Sequence, residues 1–356
     1  MLRTTGDGEK QNGGQTTQEH LLSIVVPVFN EAQVIDAFYQ LMKKVVDSLD
    51  SLTYEMIFVD DGSRDESCQK LVSLASLDSH VKIIKLSRNF GHQIAITAGM
   101  DSASGDAVVV IDADLQDPPE VIKEFVAKWR EGYDVVYGVR EVREGETKLK
   151  LFTADLFYRT LRSLTKIDIP QAVGDFRLMS RPVVEHLKLL RERDRFIRGL
   201  VSWIGFKQIG VSYSRHKRYA GATKFPYRKM IQFAWDGITS FSSMPLKLAS
   251  WLGYFTSFLA FLYLASVFVQ KALGYTVEGW ATIMVAMLFL GGVQLICLGI
   301  LGEYIGRIFT ESKQRPLYIV QERYGAQRAV QPDDPSLLSS GSIAPNMGKR
   351  LELPTG

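Results

Sequence analysis

Two long uncharged stretches constrain the fold of this chain more than any other feature. Residues 248–270 and 280–302 are apolar and aromatic and contain no Asp, Glu, Lys or Arg. Each is about long enough to cross a bilayer core as a helix, which needs roughly twenty apolar residues. Two buried core helices of a soluble protein are the alternative, but both stretches are bounded by Trp, Tyr and basic residues. We therefore predict two transmembrane helices, forming a hairpin, over residues 247–305.

Basic residues on the outer sides of this pair predict its orientation. Lys247 precedes the first stretch, and Arg307 and Lys313 follow the second. Because positively charged flanks tend to remain in the cytoplasm, we expect both flanks to be cytoplasmic and the hairpin tip to face outward. Residues 226–246 mix aromatic and basic side chains, which predicts an amphipathic helix at the membrane interface.

Composition sets the remaining boundaries. The 356 residues are enough for one large domain plus an appendage. Residues 1–20 and 326–356 are rich in small and polar residues and predict disordered tails. Between them we predict a cytoplasmic domain over 21–225 and a juxtamembrane cytoplasmic segment over 306–325.

Charge and cysteine content exclude some classes of protein. The net charge of +3 is too small to indicate a nucleic-acid binder. The two cysteines, Cys68 and Cys297, lie in a polar region and in the second apolar stretch, so we expect no disulfide between them. A domain facing the reducing cytosol fits this content.

Short β-branched runs alternate with helical stretches through the first two thirds of the chain. Predicted strands begin at residues 21, 54, 81, 106, 133 and 208. This alternation is typical of an α/β fold with a doubly wound, mostly parallel sheet flanked by helices. Ligands of such sheets bind beyond the carboxyl ends of the strands, so polar residues at those ends are the candidate site.

Carboxylates follow the strand that begins at residue 106. Asp112 and Asp114 are spaced so that they can share one divalent cation, and Gln116 can add an amide oxygen. All-oxygen ligation favours a hard ion such as Mg²⁺ or Mn²⁺. The alternative is an acidic turn before the helix that opens at Pro118, and Asp117 fits a role as its cap.

Other polar residues follow the neighbouring strands. Asp60 and Asp61 can accept hydrogen bonds from a base or a ribose, or can form a simple turn before a helix. Glu31 can face the same crevice, or can be a first-turn acid favoured by the helix dipole. Cations after the fifth strand can meet anions in the crevice. They are Arg140, Arg143, Lys148 and Lys150. For Lys148 and Lys150 the alternative is a solvated helix face.

Residues 174–177, with the sequence GDFR, are interpreted as a polar turn. Together with SIVVPVFNE at 23–31, VDDGS at 59–63, LSRNFG at 86–91 and DADLQDPP at 112–119, this segment resembles the inverting family 2 glycosyltransferases. The resemblance is to the polyprenyl-phosphate branch, in particular the bactoprenol glucosyltransferases. It covers residues 22–325, including the apolar pair, and implies a GT-A fold with a catalytic domain over 21–225.

The resemblance also implies roles for individual residues. It assigns nucleotide-sugar binding to Pro27, Asn30, Glu31, Asp60, Asp61, Asp112, Arg140, Arg218 and Lys224. It assigns the cation, Mg²⁺ or Mn²⁺, to Asp112, Asp114 and Gln116. It assigns catalysis to Asp175 and Arg177, with Asp175 at the position of the base. Because a phosphate monoester with a second pKa near about 6 is largely dianionic at neutral pH, positioning the acceptor is an alternative role for Asp175. A structural turn bond is another.

The implied reaction is transfer of a hexose from a nucleotide-sugar to polyprenyl phosphate with inversion. UDP-glucose is the favoured donor, and amino-arabinose or mannose transfer is the alternative. The expected setting is the inner membrane, as a homo-oligomer. A processive polysaccharide synthase would carry more membrane helices and a QxxRW motif, of which RFIR at 195–198 is only a loose echo. A non-catalytic scaffold would not need the intact acidic motifs.

Overall fold

A computed structural model describes residues 20–141, 173–215, 244–274 and 279–325. The tails predicted at 1–20 and 326–356 lie outside these ranges apart from His20. The interfacial helix predicted over 226–246 also lies outside them, apart from its last three residues.

Eight strands form one sheet in the described part of the chain. Their order across the sheet is β7-β5-β6-β4-β1-β2-β3-β8. The strands are β1 His20–Val28, β2 Leu52–Asp60, β3 Val81–Leu86, β4 Ala107–Val110, β5 Val135–Arg140, β6 Val173–Ser180, β7 Gln208–Tyr213 and β8 Val320–Tyr324.

Helices pack on both faces of the sheet, and the last two described helices are largely exposed. The described helices are α1 Ile35–Val46, α2 Ser67–Leu77, α3 His92–Ser102, α4 Ile122–Arg130, α5 Arg181–Leu189, α6 Ile197–Ile204, α7 Met244–Ala272 and α8 Trp280–Ser312. A short 3-10 turn, Pro119–Val121, leads into α4.

The sheet is mixed, with a parallel centre. Strand β1 pairs in parallel with β2 and β4, and β2 pairs in parallel with β3. Strand β5 pairs in parallel with β7, whereas β6 is antiparallel to both β4 and β5. The carboxyl ends of the parallel strands therefore share one edge with the beginning of β6, and the predicted α/β fold is confirmed.

Two strands of the sheet were not predicted from the sequence. Residues 174–177 are not a turn but the first half of β6, which is buried along its whole length. The segment 306–325 contains the end of α8 and then β8, which pairs antiparallel with β3. The sequence pattern did not indicate β6 because this strand contains charged residues. It did not indicate β8 because this strand follows a membrane-type helix.

The core has one layer on each face of the sheet. Successive residues of β1 point to opposite faces, so Ile24 and Val26 pack with α1 while Val25 packs with α3. All three are fully buried. Burial of such a side chain stabilises the fold by about 1.5–3 kcal/mol, and the core therefore fixes the strand ends that carry the polar residues.

Helices α7 and α8 have apolar surfaces that the rest of the described chain does not cover. Both are long and apolar enough to cross a membrane, and only 6% and 0% of the residues in their most apolar stretches are buried. Trp251 is 72% exposed and Leu288 is 71% exposed. The alternative of two buried core helices is therefore wrong, and the pair fits a bilayer.

Candidate active site

Asp175 lies at the centre of the site, near the start of β6. Its Oδ1 accepts a hydrogen bond from Nε of Arg198 at 3.0 Å, and its Oδ2 accepts from Nη2 of Arg198 at 3.2 Å and from Nε2 of Gln93 at 3.0 Å. Burial raises the pKa of Asp175, but the charge of Arg198 and the hydrogen bonds from His92 and Arg198 outweigh it and hold the pKa well below its usual range. A carboxylate held in this way is a weak base and a fixed negative charge.

His92, the first residue of α3, links Asp175 to Asp112. Its Nε2 lies 3.3 Å from Oδ2 of Asp175 and 3.5 Å from Oδ1 of Asp112. Burial lowers the pKa of His92, but the hydrogen bond to Asp175 and the charge of Asp112 raise it to about 9. The imidazolium therefore joins the two predicted site carboxylates in one cluster.

Asp112 lies close to several other carboxylates of the site. Burial and the nearby charges of Asp175, Asp117 and Asp114 raise its pKa to about 6, against the opposing charge of His92. Among the described residues, Oδ1 of Asp112 has no hydrogen-bond partner. Apart from the His92 ring at ion-pair distance, nothing described offsets these crowded carboxylates at Asp112, and a cation would stabilise such an arrangement.

The residues predicted to hold a metal fit that role in part. Asp114 is buried, and its Oδ1 accepts the backbone N–H of Gln116 at 3.1 Å. Leu115 between them has a φ of 57°, a left-handed conformation that is rare outside glycine. In the described ranges, no group of three or more His, Cys, Asp or Glu side chains is arranged to hold a metal. Mg²⁺ commonly needs only one or two protein carboxylates, because substrate phosphates and water supply its other ligands.

Asp60 is the last residue of β2 and Asp61 follows it, at the neighbouring strand end. Both oxygens of Asp61 accept backbone N–H groups, from Phe90 at 2.7 Å and from Gly91 at 2.9 Å. Burial nevertheless raises the pKa of Asp61. Oδ1 of Asp60 accepts the N–H of Ser63, and its buried Oδ2 has no hydrogen-bond partner among the described residues. The structure thus gives Asp61 a role in tying the loop after β3 to the site.

The end of β1 forms the next part of this edge. Asn30 has a φ of 55°, and its Oδ1 accepts the N–H of Arg64 at 2.8 Å. The N–H of Glu31 donates to Oγ of Ser67, and the Glu31 side chain is half-buried. Pro27 is a buried residue within β1. Their roles in nucleotide binding stay predictions.

Arg177 is a buried residue of β6. It is only 2% exposed, and its Nη2 donates to the backbone oxygen of Gly174 at 2.9 Å. Burial lowers its pKa to about 10. β6 places Arg177 two residues from Asp175 on the same face of the strand, and its catalytic role stays a prediction.

Arg140 ends β5 and lies beside Asp117, with 3.7 Å between Nη2 and Oδ2. Asp117 is fully buried and accepts a hydrogen bond from Tyr213, so it does more than cap a helix. The remaining predicted cations lie outside the described residues. They are Arg143, Lys148, Lys150, Arg218 and Lys224.

Sequence reasoning missed four residues of the site: His92, Gln93, Arg198 and Tyr213. Two signals were present. His92 directly follows the SRNFG segment, and Arg198 ends the RFIR segment that was set aside as a loose echo of another motif. Gln93 and Tyr213 carry no recognisable local pattern.

Known proteins match this chain over most of its length. Residues 23–188 match the family model described as glycosyl transferase family 2, and residues 244–308 match the one described as GtrB C-terminal hairpin. An uncharacterized glycosyltransferase of Bacillus subtilis, YkcC, is 55% identical over 86% of this chain and 94% of its own length. The chain belongs to glycosyltransferase family 2.

Other members of glycosyltransferase family 2 are also similar to it. The bactoprenol glucosyl transferase of Shigella phage SfV is 45% identical over 84% of this chain and 98% of its own length. A prophage bactoprenol glucosyl transferase homolog of Escherichia coli is 43% identical over the same shares. Among solved structures, glucosyl-3-phosphoglycerate synthase from Mycobacterium tuberculosis, with Mn²⁺, UDP and glucosyl-3-phosphoglycerate, has a TM-score of 0.41 and 20% identity, covering 61% of this chain and 76% of its own.

Proposed function

We propose that this glycosyltransferase moves glucose from UDP-glucose to polyprenyl phosphate with inversion of configuration. The observation that carries the proposal is a single cluster of Asp112, His92 and Asp175 at the strand ends, in a chain that also carries two exposed apolar helices. The names of the bactoprenol glucosyl transferases that resemble it support the same donor sugar and acceptor.

The acceptor phosphate is the nucleophile of the proposed reaction. One of its oxygens attacks the anomeric carbon of glucose while the bond from that carbon to the UDP oxygen breaks, and the bonding electron pair leaves with UDP. Since a phosphate monoester is largely dianionic at neutral pH, no proton has to be removed first. Asp175, fixed by Arg198, therefore orients the reacting groups and stabilises the positive charge that develops on the sugar.

A divalent cation is part of the proposal. Asp112 and Asp114 would hold it, with Gln116 as a further oxygen donor, and both Mg²⁺ and Mn²⁺ suit such ligands. When bound, such an ion neutralises the charge that develops on the leaving diphosphate. The crowded negative charge at Asp112 supports this assignment.

The two apolar helices supply the lipid context. We propose that they cross the inner membrane as a multi-pass anchor, with the catalytic domain on the cytoplasmic side. The basic residues beyond the end of α8, Lys313 and Arg315, support this orientation. Homo-oligomerisation through the helices remains part of the proposal, since Gly291, Gly292 and Gly299 leave open space for close helix contact.

A donor screen tests the function. Membranes containing the full-length chain are incubated with undecaprenyl phosphate, Mn²⁺ or Mg²⁺ and one labelled nucleotide-sugar at a time, and the lipid is extracted. We expect a mild-acid-labile glucolipid with UDP-glucose, and no product when Asp112 is replaced by Asn. A labelled polymer would contradict the proposal, and a product only with another sugar would contradict the donor assignment.

A further inference from the structure

The loop between α5 and α6, residues 190–196, joins the end of helix α8 to the active site. Arg307 and Glu311 are four residues apart on α8, so they lie on one face of that helix. Nη1 of Arg307 donates to Oδ2 of Asp194 at 2.9 Å, and Oε1 of Glu311 accepts the backbone N–H of Arg193 at 2.7 Å. One charged face of α8 therefore holds two consecutive residues of the α5–α6 loop.

These two contacts lie beyond the part of α8 that suits a bilayer. The uncharged stretch ends at residue 302, and residues 303–312 extend the helix by about 15 Å, at about 1.5 Å per residue. The side chain of Arg307 lies within this extension and is only 17% exposed. The α5–α6 loop thus contacts a direct continuation of the second apolar helix.

The same loop is also anchored to the catalytic domain. Nη1 of Arg191 donates to Oδ2 of Asp101, near the end of α3, at 2.7 Å. The buried guanidinium of Arg195 donates to the backbone oxygens of Leu190 and, at 3.2 Å, of Leu187. These oxygens lie at the end of α5, where a helix leaves its last carbonyl groups without partners of its own. The loop is therefore tied to α3 and α5 as well as to α8.

The α5–α6 loop leads directly into the residues that hold Asp175. The backbone N–H of Ile197, the first residue of α6, donates to Oε1 of Gln93 at 3.0 Å, and Nε2 of Gln93 donates to Asp175. Arg198, which donates to both oxygens of Asp175, is the next residue of α6 and is only four residues from Asp194. A shift of the loop would therefore move two of the side chains that orient this carboxylate.

We propose that Asp194 and Glu311 are positioning residues, which hold the α5–α6 loop against α8 so that Arg198 keeps the Asp175 carboxylate in its reactive orientation. The proposal rests on the transfer function above, in which Asp175 orients the reacting groups. Both residues act through the loop and α6. Because a misplacement of about 1 Å at a reacting group can lower turnover by about 10²-fold, a small movement of the loop is sufficient.

Steady-state kinetics of the full-length chain in membranes test the positioning role. Asp194→Ala removes the acceptor for Arg307, and Glu311→Ala removes the acceptor for the N–H of Arg193. We expect each change to lower kcat about tenfold, within the range for a small misplacement, and to leave the KM for UDP-glucose unchanged. Glu311→Gln keeps an oxygen acceptor and should retain most of the wild-type kcat. Glu185→Ala is the matched control, since it removes an exposed, paired carboxylate of α5 that does not contact the loop, and it should leave kcat unchanged.

A double-mutant cycle with Arg198→Lys distinguishes positioning from general structural damage. If Asp194 acts through Arg198, Asp194→Ala should lower kcat little further in a chain that already carries Arg198→Lys. Hydrogen exchange of the detergent-solubilised chain gives a readout that does not depend on turnover. In Asp194→Ala and in Glu311→Ala, the amides of residues 190–204 should exchange faster than in wild type, because the start of α6 opens more often.

Several outcomes would overturn the proposal. Wild-type kcat in the two folded alanine variants would do so, and so would hydrogen exchange that matches wild type. Multiplicative losses in the cycle would show that Asp194 acts independently of Arg198. If Asp194→Ala does not fold, the comparison of Glu311→Ala with Glu311→Gln tests the same role at the other contact. Absence of transfer by the wild-type chain would refute the transfer function itself, and the exchange rates would still decide whether α8 holds the start of α6.

Discussion

Arg198 donates hydrogen bonds to both oxygens of the Asp175 carboxylate, from Nε to Oδ1 at 3.0 Å and from Nη2 to Oδ2 at 3.2 Å. The two residues come from α6 and β6, and the pair is largely shielded from water on the Asp175 side, where the side chain is 6% exposed. Such two-point contact fixes the carboxylate plane as well as its charge. We therefore expect the role proposed for Asp175 to depend on Arg198.

A double-mutant cycle checks this dependence. We expect Asp175→Asn to lower kcat by about 10²–10³-fold, the range for loss of one group that stabilises charge in the transition state. Arg198→Lys cannot reproduce the two-point contact and should lower kcat in the same direction. If the two act as one unit, the double variant loses little more than Asp175→Asn alone. Multiplicative losses would show that they act independently.

Replacing Asp114 by Asn tests the cation site. We expect metal-dependent transfer to be lost while the protein stays folded, because the change preserves shape and removes one charge. UDP binding measured by calorimetry with and without Mn²⁺ gives a readout separate from turnover. Wild-type affinity in the presence of Mn²⁺, together with full activity, would rule out Asp114 as a ligand.

Gly62 joins two loops of the site and cannot be enlarged without moving backbone. Its φ is 69°, and a Cβ there would lie 2.6 Å from the carbonyl carbon of Arg88. Gly62→Ala should lower the unfolding temperature and weaken UDP binding. Gly132→Ala is the matched control, since Gly132 has a φ of 89° but open space around it. In both variants the left-handed backbone should lower the free energy of unfolding by about 1–2 kcal/mol. Only Gly62→Ala should lower it further, because its Cβ also meets backbone atoms.

Asp78 makes stability depend on pH at the far edge of the sheet. Burial raises its pKa, but hydrogen bonds from the N–H of His80, from Tyr39 and from the His80 ring outweigh this and hold the pKa well below the usual range. A carboxylate with a depressed folded pKa stabilises the fold above its unfolded pKa, about 3.9, and loses that contribution as the pH falls through the folded value.

The depressed pKa of Asp78 in the folded state determines the expected effect of replacing it. Asp78→Asn should lower the free energy of unfolding at pH 7, and the difference from wild type should shrink as the pH falls below about 4. Denaturant unfolding of the detergent-solubilised chain at several pH values measures it. Asp36→Asn, which removes an exposed pair with Lys70, is the control and should have little effect at any pH. If the effect of Asp78→Asn on the free energy of unfolding did not change with pH, it would contradict a depressed pKa for Asp78.

Local sequence patterns predicted most of the elements that frame the site. The run before Asp112 is a short apolar strand, and β3 and β7 begin at the predicted residues, Val81 and Gln208. These predictions succeeded because the hydrophobic runs are contiguous and end in polar residues. Strand β6 failed because its sequence VGDFRLMS mixes charges into a buried strand, which no local pattern can distinguish from a turn.

The partners of the site residues were not predictable in the same way. Asp117 and Tyr213 are 96 residues apart, and Asp175 and Arg198 are 23 apart. Whether such residues meet depends on strand order, on register and on which face of a strand a side chain occupies. None of these three properties can be predicted from the local sequence around a residue.

The amino-acid sequence by itself determined that this chain has an α/β catalytic sheet with acids at its strand ends and two helices suited to a bilayer, because hydrophobic periodicity and length are local properties. Only the tertiary structure decided that Arg198 holds Asp175, that Arg177 is buried, and that Asp117 lies beside Arg140. Those outcomes arise from long-range pairing, in which the antiparallel insertion of β6 between β4 and β5 brings distant charges within a few ångströms of each other.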